Sequence, residues 1–433
     1  MAVSPQSSTP TLILGAGLAG LSTALHLRQA GGEARLLEQA SFVGGHATTI
    51  EDSGYRFDRT GHLLHLRDPD MRALVTGLLG DRLLTVERRS RVYSHGVYTR
   101  YPFQANTFGL PPAVAHECVM GFLRAREAAP AGATDDFASW CRARFGDGFC
   151  RHFLLPYNEK LWGVPASEIT AAWCRRFVPV PSVDDVIAGA VGLNDRELGY
   201  NASFVYPRGG IGELPAALAR AAGPVELGRR PQAIDWRRRR VTLADETIAY
   251  ERLVSTVPLR ALGALLVDPP DEVARAFGQL RCAGLRYLDV ALRAPVGRDL
   301  HWVYVPEARY PFYRVGCYSH FSPDLTPAGG GSLYVELADR RPDASPDAVP
   351  RVIALLVEMG LIGHPDEVAF VRERHLPYAY VLFDHAHAAA VACIEAFLGA
   401  CGIESTGRYG RWTYSSMEDA LLDGRAAARS LGT

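Results

Sequence analysis

The sequence predicts an α/β protein with three parts: a parallel sheet that binds a ligand, a mainly helical region and an antiparallel sheet. Three observations support this prediction. A short apolar run near the N-terminus leads through a glycine-rich turn into residues with helical spacing. Residues 113–126, 134–147 and 183–193 carry apolar side chains at helical intervals. Beyond residue 202, β-branched and aromatic residues form runs that are typical of strands.

The first element is the apolar run at residues 11–14, which has the composition of a buried parallel strand. A complete GxGxxG follows at 15–20 and opens a helical pattern. A second strand, at 34–37, ends at Glu38. This order of strand, turn, helix, strand and acid is that of a Rossmann-type dinucleotide-binding unit. It assigns six residues to cofactor binding: Gly15, Gly17, Leu18, Ala19, Gly20 and Glu38.

Each position in this unit has a physical role. Gly15 permits the tight turn, Gly17 lets the backbone approach a pyrophosphate, and Gly20 lets the helix pack on the strand. The helix N-terminus offers free N–H groups to phosphate oxygens, and Glu38 can accept hydrogen bonds from a ribose. The alternative is a glycine-rich turn without a ligand. The strand, helix and acid around the turn favour dinucleotide binding over that alternative.

A second glycine pair, Gly44-Gly45-His46, follows the ribose acid, and Asp58 and His62 come shortly after it. The pair resembles the flavoprotein extension of the motif, in which the backbone again passes close to the cofactor. A simple NAD dehydrogenase has no need of this loop. The sequence therefore favours FAD, held without a covalent bond, with Gly44, Gly45 and His46 among its contacts.

The remaining segments suggest a discontinuous arrangement. Residues 10–75, 202–262 and 395–430 are assigned to the FAD-binding domain, 76–200 to a mainly helical cap or substrate domain, and 263–394 to a β-sheet substrate domain. The four arginines at 237–240 lie between two strand-like segments, which predicts a solvated hairpin turn.

Composition excludes several classes of protein. The chain has 433 residues, of which 48% are hydrophobic and 21% charged, so disorder is excluded. The net charge of -1 provides no global attraction to nucleic acid or to an anionic membrane. No secretory signal, no apolar run of about 18–20 residues and no cysteine spacing typical of zinc sites is present. We expect a cytoplasmic protein whose cysteines are reduced, with no membrane span, no nucleic-acid partner and no metal. The oligomeric state stays open.

Six further motifs, in order, resemble the UDP-galactopyranose mutase-like branch of FAD-dependent flavoproteins of the amine oxidase and protoporphyrinogen oxidase type. The resemblance runs from residue 11 to about 428. The motifs are YPFQAN at 101–106, PYNEKLW at 156–162, Trp173 with Arg176, YPRGG at 206–210, PFYR at 311–314 and GRYG at 407–410.

The resemblance implies a set of roles. Arg176 and Arg314 would grip a substrate pyrophosphate, as bidentate guanidinium groups do well. Tyr378 and Tyr380 would contact the same diphosphate. His62 would lie near the isoalloxazine and act in catalysis with the two arginines. The resemblance also assigns FAD contacts to Gly209, Gly210, Arg408, Met417, Glu418 and Asp419, and a substrate pocket to Phe103, Gln104 and Trp162.

Each of these assignments has a structural alternative. Phe103 and Trp162 have the character of core aromatics. His62 could be a packed histidine satisfied by backbone. Tyr378 and Tyr380 alternate like strand residues on one face, so shared core packing competes with shared ligand contact.

Two activities follow from the resemblance. The first is a pyranose/furanose mutase acting on a nucleotide sugar, in which N5 of reduced FAD attacks the anomeric carbon and NAD(P)H or another external reductant supplies the electrons. The alternative is an FAD-dependent oxidoreductase that transfers hydride from an amine, an alcohol or a porphyrinogen-like substrate. A non-catalytic FAD-binding protein is the third class, and the many polar candidates count against it.

Overall fold

The computed structural model of the chain describes residues 9–128, 135–174, 178–193, 202–338 and 348–431. Strands are numbered along the chain. Those before residue 210 are β1 (Thr9–Leu14), β2 (Arg35–Leu37), β3 (Thr49–Asp52), β4 (Tyr55–Asp58), β5 (Leu83–Glu87), β6 (Ser90–Ser94), β7 (Val97–Arg100) and β8 (Ser203–Pro207). The later ones are β9 (Val225–Glu226), β10 (Ala233–Asp235), β11 (Arg240–Thr242), β12 (Thr247–Ser255), β13 (Cys282–Leu292), β14 (Trp302–Tyr304), β15 (Phe312–Cys317), β16 (Gly331–Leu337), β17 (Val368–Val381) and β18 (Ile403–Ser405).

The helices are numbered in the same way. The first six are α1 (Leu18–Gln29), α2 (Pro69–Leu79), α3 (Pro112–Glu127), α4 (Phe137–Phe149), α5 (Leu155–Trp162) and α6 (Val183–Val191). The others are α7 (Glu213–Ala222), α8 (Leu259–Gly263), α9 (Asp271–Gln279), α10 (Ala348–Glu358), α11 (His387–Ala400), α12 (Gly407–Gly410) and α13 (Met417–Leu431).

The first sheet contains the predicted dinucleotide-binding unit. Its strands run in the order β10-β11-β12-β1-β2-β9, and β18 pairs with β12. The strands β1, β2, β9, β12 and β18 are parallel, and β10 to β12 form an antiparallel meander. Leu12, Ile13 and Leu14 are buried because α1 and other helices cover the faces of the sheet. The predicted α/β class and the strand–turn–helix–strand unit are confirmed.

The second sheet is largely antiparallel, in the order β17-β13-β16-β15-β14-β6-β7, with β14 and β6 parallel. Its β6 and β7 come from the region expected to be mainly helical, and that region also supplies β5, which pairs with β8. Strands of four or five residues contain too little periodicity to distinguish them from loops.

The helices pack around Phe122, Phe137, Phe145 and Phe149, and this core continues into the second sheet, where it includes Tyr313 and Tyr380. The helices predicted at 113–126 and 183–193 are α3 and α6, and α4 covers most of the predicted 134–147, of which residue 134 lies outside the described ranges. The turn predicted at the four arginines is confirmed between β10 and β11, with Arg240 as the first residue of β11. None of the helices in the described ranges is both long and apolar enough to cross a bilayer.

Candidate active site

The glycine turn after β1 has the geometry that the sequence predicts. Gly15 has φ +100°, which favours glycine. A Cβ on Gly20 would lie 1.9 Å from the Gly15 carbonyl oxygen, so no other residue fits there. Gly17 is the N-cap of α1 and lies open: a Cβ there would have none of the described atoms within 4 Å. The open space at a helix N-terminus fits a pyrophosphate.

Glu38 is buried at the end of β2. Its two carboxylate oxygens accept the backbone N–H groups of Ala16 and Ala40, each at 2.8 Å. The carboxylate therefore fixes the glycine turn, and a ribose would share these oxygens. Leu18 and Ala19 are buried, so they would face a cofactor through backbone N–H groups alone.

The second glycine loop is bound directly to the first. The Gly44 N–H donates to the Ala16 carbonyl oxygen at 2.8 Å, and Gly44 forms a parallel bridge with Gly17. A Cβ on Gly45 would lie 3.5 Å from the Gly17 Cα. The two loops thus form one continuous backbone surface at the N-terminus of α1.

Two neutral histidines lie beside this surface. The pKa of His62 is lowered to about 3, mainly by burial and in part by the positive charges of Arg408 and Arg314. Burial also lowers the pKa of His46 to about 4, with Arg59 and Arg408 as added causes. The pKa shift places His62 within electrostatic reach of Arg314 and Arg408, two of the three arginines that the sequence assigned to the site.

Arg408 is held by carbonyl oxygens. One terminal nitrogen donates to the Ser415 carbonyl at 2.7 Å and the other to the Ala379 carbonyl at 3.1 Å. The guanidinium also lies over the Tyr414 ring, 4.5 Å from its centroid. Within the described ranges it forms no ion pair with a carboxylate, so its charge is left for an anionic group.

Arg314, on β15, differs from Arg408 because it is paired with a carboxylate. Its Nε and one terminal nitrogen donate to the two carboxylate oxygens of Glu336 on the adjacent β16, at 2.9 and 2.5 Å. Glu336 is 0% exposed and Arg314 23% exposed. The same terminal nitrogen reaches the Tyr380 hydroxyl at 3.3 Å. Glu336 therefore neutralises Arg314 and fixes the direction of its guanidinium.

Tyr378 and Tyr380 do not share a face, which corrects the alternation expected from the sequence. Between the pairs Ala283↔Tyr380 and Leu285↔Leu376, β17 advances four residues while β13 advances two. This bulge turns Tyr378 toward Trp412 and leaves Tyr380 beside Arg314.

At the bulge, the buried Ala379 carbonyl oxygen accepts from the Arg408 guanidinium and from the Tyr409 hydroxyl at 3.1 Å each. It therefore joins the second sheet to the loop that carries Arg408.

The three residues that the sequence assigned to a substrate pocket contact other parts of the protein. Phe103 is 0% exposed between Phe149 and Phe153, and the Trp162 ring packs on Phe137. The Gln104 side-chain amide donates to the Pro179 carbonyl at 2.8 Å. These contacts lie in the core that the helices share with the second sheet, and the same core contains Tyr380, which contacts Arg314. Their assignment to a substrate pocket stays a prediction.

The last helix, α13, begins with three residues that the sequence assigned to cofactor contact, and each of them contacts other parts of the protein. Glu418 accepts the backbone N–H groups of Arg67 and Asp68, the latter at 2.8 Å. Asp419 caps the helix by accepting from the Ser416 N–H at 2.7 Å. Met417 packs against the core beneath the first sheet.

Gly209 and Gly210 lie in a tightly packed loop: a Cβ on Gly210 would lie 2.4 Å from the Thr49 hydroxyl, and one on Gly209 would collide with the Glu213 carboxylate. Arg176 lies outside the described residues.

Glu336 was not identified from the sequence as a site residue. Its signal was available, because a carboxylate in the apolar strand 333–337 needs a buried partner. Asp58 is a second case. It is buried and accepts hydrogen bonds from the Thr49 hydroxyl at 2.6 Å and the Tyr206 hydroxyl at 2.5 Å. Asp58 lies on β4, so the bond from Thr49 lies within the β3–β4 hairpin and the bond from Tyr206 joins that hairpin to β8.

A flavin dinucleotide fits this site. Among the described residues, four buried polar atoms around the two loops have no hydrogen-bond partner: Nδ1 of His46, Nδ1 of His62, Nε of Arg408 and Oγ of Ser415. Such atoms are costly unless a ligand or water satisfies them. Together with the open backbone at Gly17, they define a protein that holds a dinucleotide at the N-terminus of α1.

The family is established by sequence. The profile of the family described as flavin containing amine oxidoreductase matches residues 18–431, and the chain belongs to this family. Curated relatives match over short stretches only. Phytoene desaturase of Cercospora nicotianae is 43% identical over 61 residues, 14% of this chain and 10% of that protein. Phytoene dehydrogenase of Streptomyces griseus is 39% identical over 74 residues, 17% and 15% of the two chains.

Solved structures share the fold over nearly the whole chain. A reduced UDP-galactopyranose mutase superimposes with a TM-score of 0.91 at 23% identity, covering 97% of this chain and 95% of the other. A protein of Exiguobacterium sp. 255-15, provisionally assigned as a protoporphyrinogen oxidase, gives a TM-score of 0.77 at 16% identity over 99% of both chains. Cyclohexylamine oxidase of Brevibacterium oxydans IH-35A gives 0.69 at 17% identity, over 98% and 99%. The chain therefore has the fold of these flavoenzymes.

Proposed function

We propose that the chain is an FAD-dependent mutase that interconverts the pyranose and furanose forms of a nucleotide-linked sugar. The observation that carries this proposal is the positive charge beside His62. We further propose that the cofactor works in its reduced form, with electrons from an external reductant such as NAD(P)H.

The charge balance favours an anionic substrate. Arg314 is neutralised by Glu336, whereas Arg408 keeps its charge, and Arg59 lies close to His46. Both histidines are neutral at pH 7 because their pKa values are about 3 and 4. The cluster is therefore positive overall. It would repel the ammonium form of an amine and attract a diphosphate.

The chain's own residues have defined tasks in this proposal. Glu336 holds Arg314 rigid, so that the guanidinium meets a diphosphate without first losing conformational freedom. Tyr380 adds a hydroxyl to the same contact. By stabilising the charge of the departing diphosphate, Arg314 and Tyr380 would accelerate the step in which it leaves the sugar. Bound FAD would supply the electron-rich nitrogen that the sugar chemistry requires, near the neutral His62.

Fold likeness is a second support. The TM-score of 0.91 to the mutase exceeds the values of 0.77 and 0.69 to the two oxidase-type structures. The alternative, an oxidoreductase that passes hydride from its substrate to FAD, draws support from the family and from the short matches to phytoene desaturases. The two activities differ in net redox change, so one experiment separates them.

The test compares two reactions of the FAD-loaded protein. Reduced with dithionite, it is incubated with a panel of nucleotide sugars, and chromatography follows conversion to the furanose form. Oxidised and without oxygen, it is mixed with amines, alcohols, a porphyrinogen and phytoene, and flavin absorbance is followed. Furanose formation supports the proposal. Bleaching of the oxidised flavin with no furanose formed overturns it in favour of the oxidoreductase.

A variant pair tests the role of Arg314. Arg314→Ala should raise KM for the nucleotide sugar at least tenfold and leave FAD bound. Arg372→Ala, an exposed arginine on β17 that pairs with Asp52, is the matched control and should leave KM unchanged. Equal KM values in the two variants would remove Arg314 from substrate binding.

A further inference from the structure

Lys160 is the only lysine in a chain that has 46 lysine and arginine residues. It lies near the C-terminal end of α5 and is partly buried. Its ammonium nitrogen donates to the backbone carbonyl oxygens of Val305 and Glu307, at 2.9 Å each. An ammonium group can bond two converging carbonyls from one atom, whereas a guanidinium spreads its donors over a planar fork. This position therefore uses a property that arginine lacks.

The two carbonyls belong to the turn that joins β14 to β15. The Val305 N–H donates to the Tyr313 carbonyl oxygen at 2.8 Å, which extends the strand pair by one step beyond Tyr304. Arg314 lies directly opposite Tyr304 in the same pair. Lys160 thus holds the end of the hairpin that carries Arg314.

A second contact joins α5 to the same hairpin. Tyr157 precedes Lys160 by three residues and is buried. Its ring packs edge-on against the ring of Tyr304, with centroids 5.3 Å apart, and against that of Tyr313, with centroids 6.1 Å apart. Residues three apart lie on the same side of a helix, so α5 holds the hairpin at two points. Tyr157 contacts the side chains on either side of Arg314, and Lys160 contacts the turn beyond them.

The position of Lys160 is a costly one for a cation. Burial lowers the pKa of its ammonium group to about 7, and the carboxylate of Glu307 opposes this shift. Groups with strongly shifted pKa values cluster at functional sites, so the cost is consistent with a role beyond packing. The low pKa also means that a large fraction of the amine is neutral at pH 7 and can be acylated, which allows its environment to be probed directly.

We propose that Lys160 is a positioning residue for substrate binding, whose bonds to the β14–β15 turn hold Arg314 in the orientation that a diphosphate requires. This inference rests on the proposed function, because it takes Arg314 as a group that binds the diphosphate. Glu336 fixes the guanidinium from β16, and Lys160 fixes the backbone of the hairpin from α5. Loss of either constraint would displace the donors of Arg314 and weaken bidentate binding.

The first test measures binding of inorganic pyrophosphate to the FAD-loaded protein by calorimetry. Lys160→Met keeps most of the side-chain length and removes its donors, so it should raise the Kd for pyrophosphate about tenfold. Arg293→Met is the matched control, because Arg293 also donates to two backbone carbonyls, those of Asp366 and Val368, but is exposed. Its Kd should equal that of the unchanged chain. Flavin absorbance and circular dichroism establish that each variant is folded.

The second test uses the unchanged chain and its single lysine. The protein is acetylated with acetic anhydride, and mass spectrometry of its peptides gives the rate of modification at Lys160. Bound pyrophosphate should keep the hairpin on α5 and lower this rate about fivefold, because coupling between two sites is reciprocal. Arg314→Ala should abolish the effect of pyrophosphate on the rate.

Equal Kd values for Lys160→Met and Arg293→Met would overturn the role of Lys160, and so would an acetylation rate that bound pyrophosphate leaves unchanged. If Lys160→Met does not fold, the acetylation rates decide alone. If the unchanged chain does not bind pyrophosphate, or Arg314→Ala binds it as tightly, the proposed function fails instead, and Lys160 has no diphosphate site to position.

Discussion

Replacing Glu336 with glutamine should destabilise the protein more than the same change at any exposed ion pair. The carboxylate is 0% exposed and accepts two charge-assisted hydrogen bonds from Arg314. Glutamine keeps the shape but removes the charge, so a buried guanidinium loses its counter-ion. Removing one partner of a buried ion pair costs about 3–5 kcal/mol. Because Arg314 is 23% exposed and water reaches part of it, we expect the lower end, about 3 kcal/mol.

Glu358 provides the matched control. It pairs with Arg309 at 2.6 Å, but the two side chains are 43% and 50% exposed. Exposed pairs contribute about 0–1 kcal/mol, so Glu358→Gln should change stability little. A third variant, Arg314→Met with Glu336→Leu, removes both charges and should recover most of the loss, since no unpaired charge remains.

The assay is urea unfolding of the FAD-loaded variants, followed by circular dichroism. Glu336→Gln should unfold at a clearly lower urea concentration than Glu358→Gln, and the double replacement should lie between that variant and the unchanged chain. If Glu336→Gln and Glu358→Gln unfold together, the buried pair does not stabilise this sheet. If the double replacement is the least stable of all, packing rather than charge pairing explains the loss.

Two other predictions concern the loops. Gly17→Val should fold but lose FAD, because a side chain there meets open space in the protein alone. Gly20→Val should fail to fold, because its Cβ would lie 1.9 Å from a carbonyl oxygen. The ratio of flavin to protein absorbance measures the bound FAD and circular dichroism measures folding; a flavin-loaded Gly17→Val would contradict the first expectation. Burial raises the pKa of Asp58 from 3.8 to about 7, so the folded chain binds a proton there that the unfolded chain has released, and this contribution to stability falls as pH rises from about 4 to 7. Asp58→Asn removes the titration, so the unchanged chain should lose stability relative to it across that range, by on the order of 2–4 kcal/mol; parallel pH dependence of the two melting temperatures would show that Asp58 does not titrate there.

The sequence by itself determined the local elements. The GxGxxG turn, the strand before it, the helix after it and the acid at Glu38 depend on contacts within about thirty residues, where composition and spacing are sufficient. The same holds for α3, α6 and the turn at the four arginines. The family resemblance added the identity of Arg314 and Arg408, but not the partner of either.

Only the tertiary structure decided how those residues meet. Arg314 lies beside Glu336 because β15 and β16 pair in one register, and a shift of one residue would place the two on opposite faces. The bulge in β17 separates Tyr378 from Tyr380 and offers the Ala379 carbonyl to Arg408, and strand alternation cannot reveal a bulge. These contacts join segments that are distant in the chain, and their geometry depends on how whole sheets and helices pack.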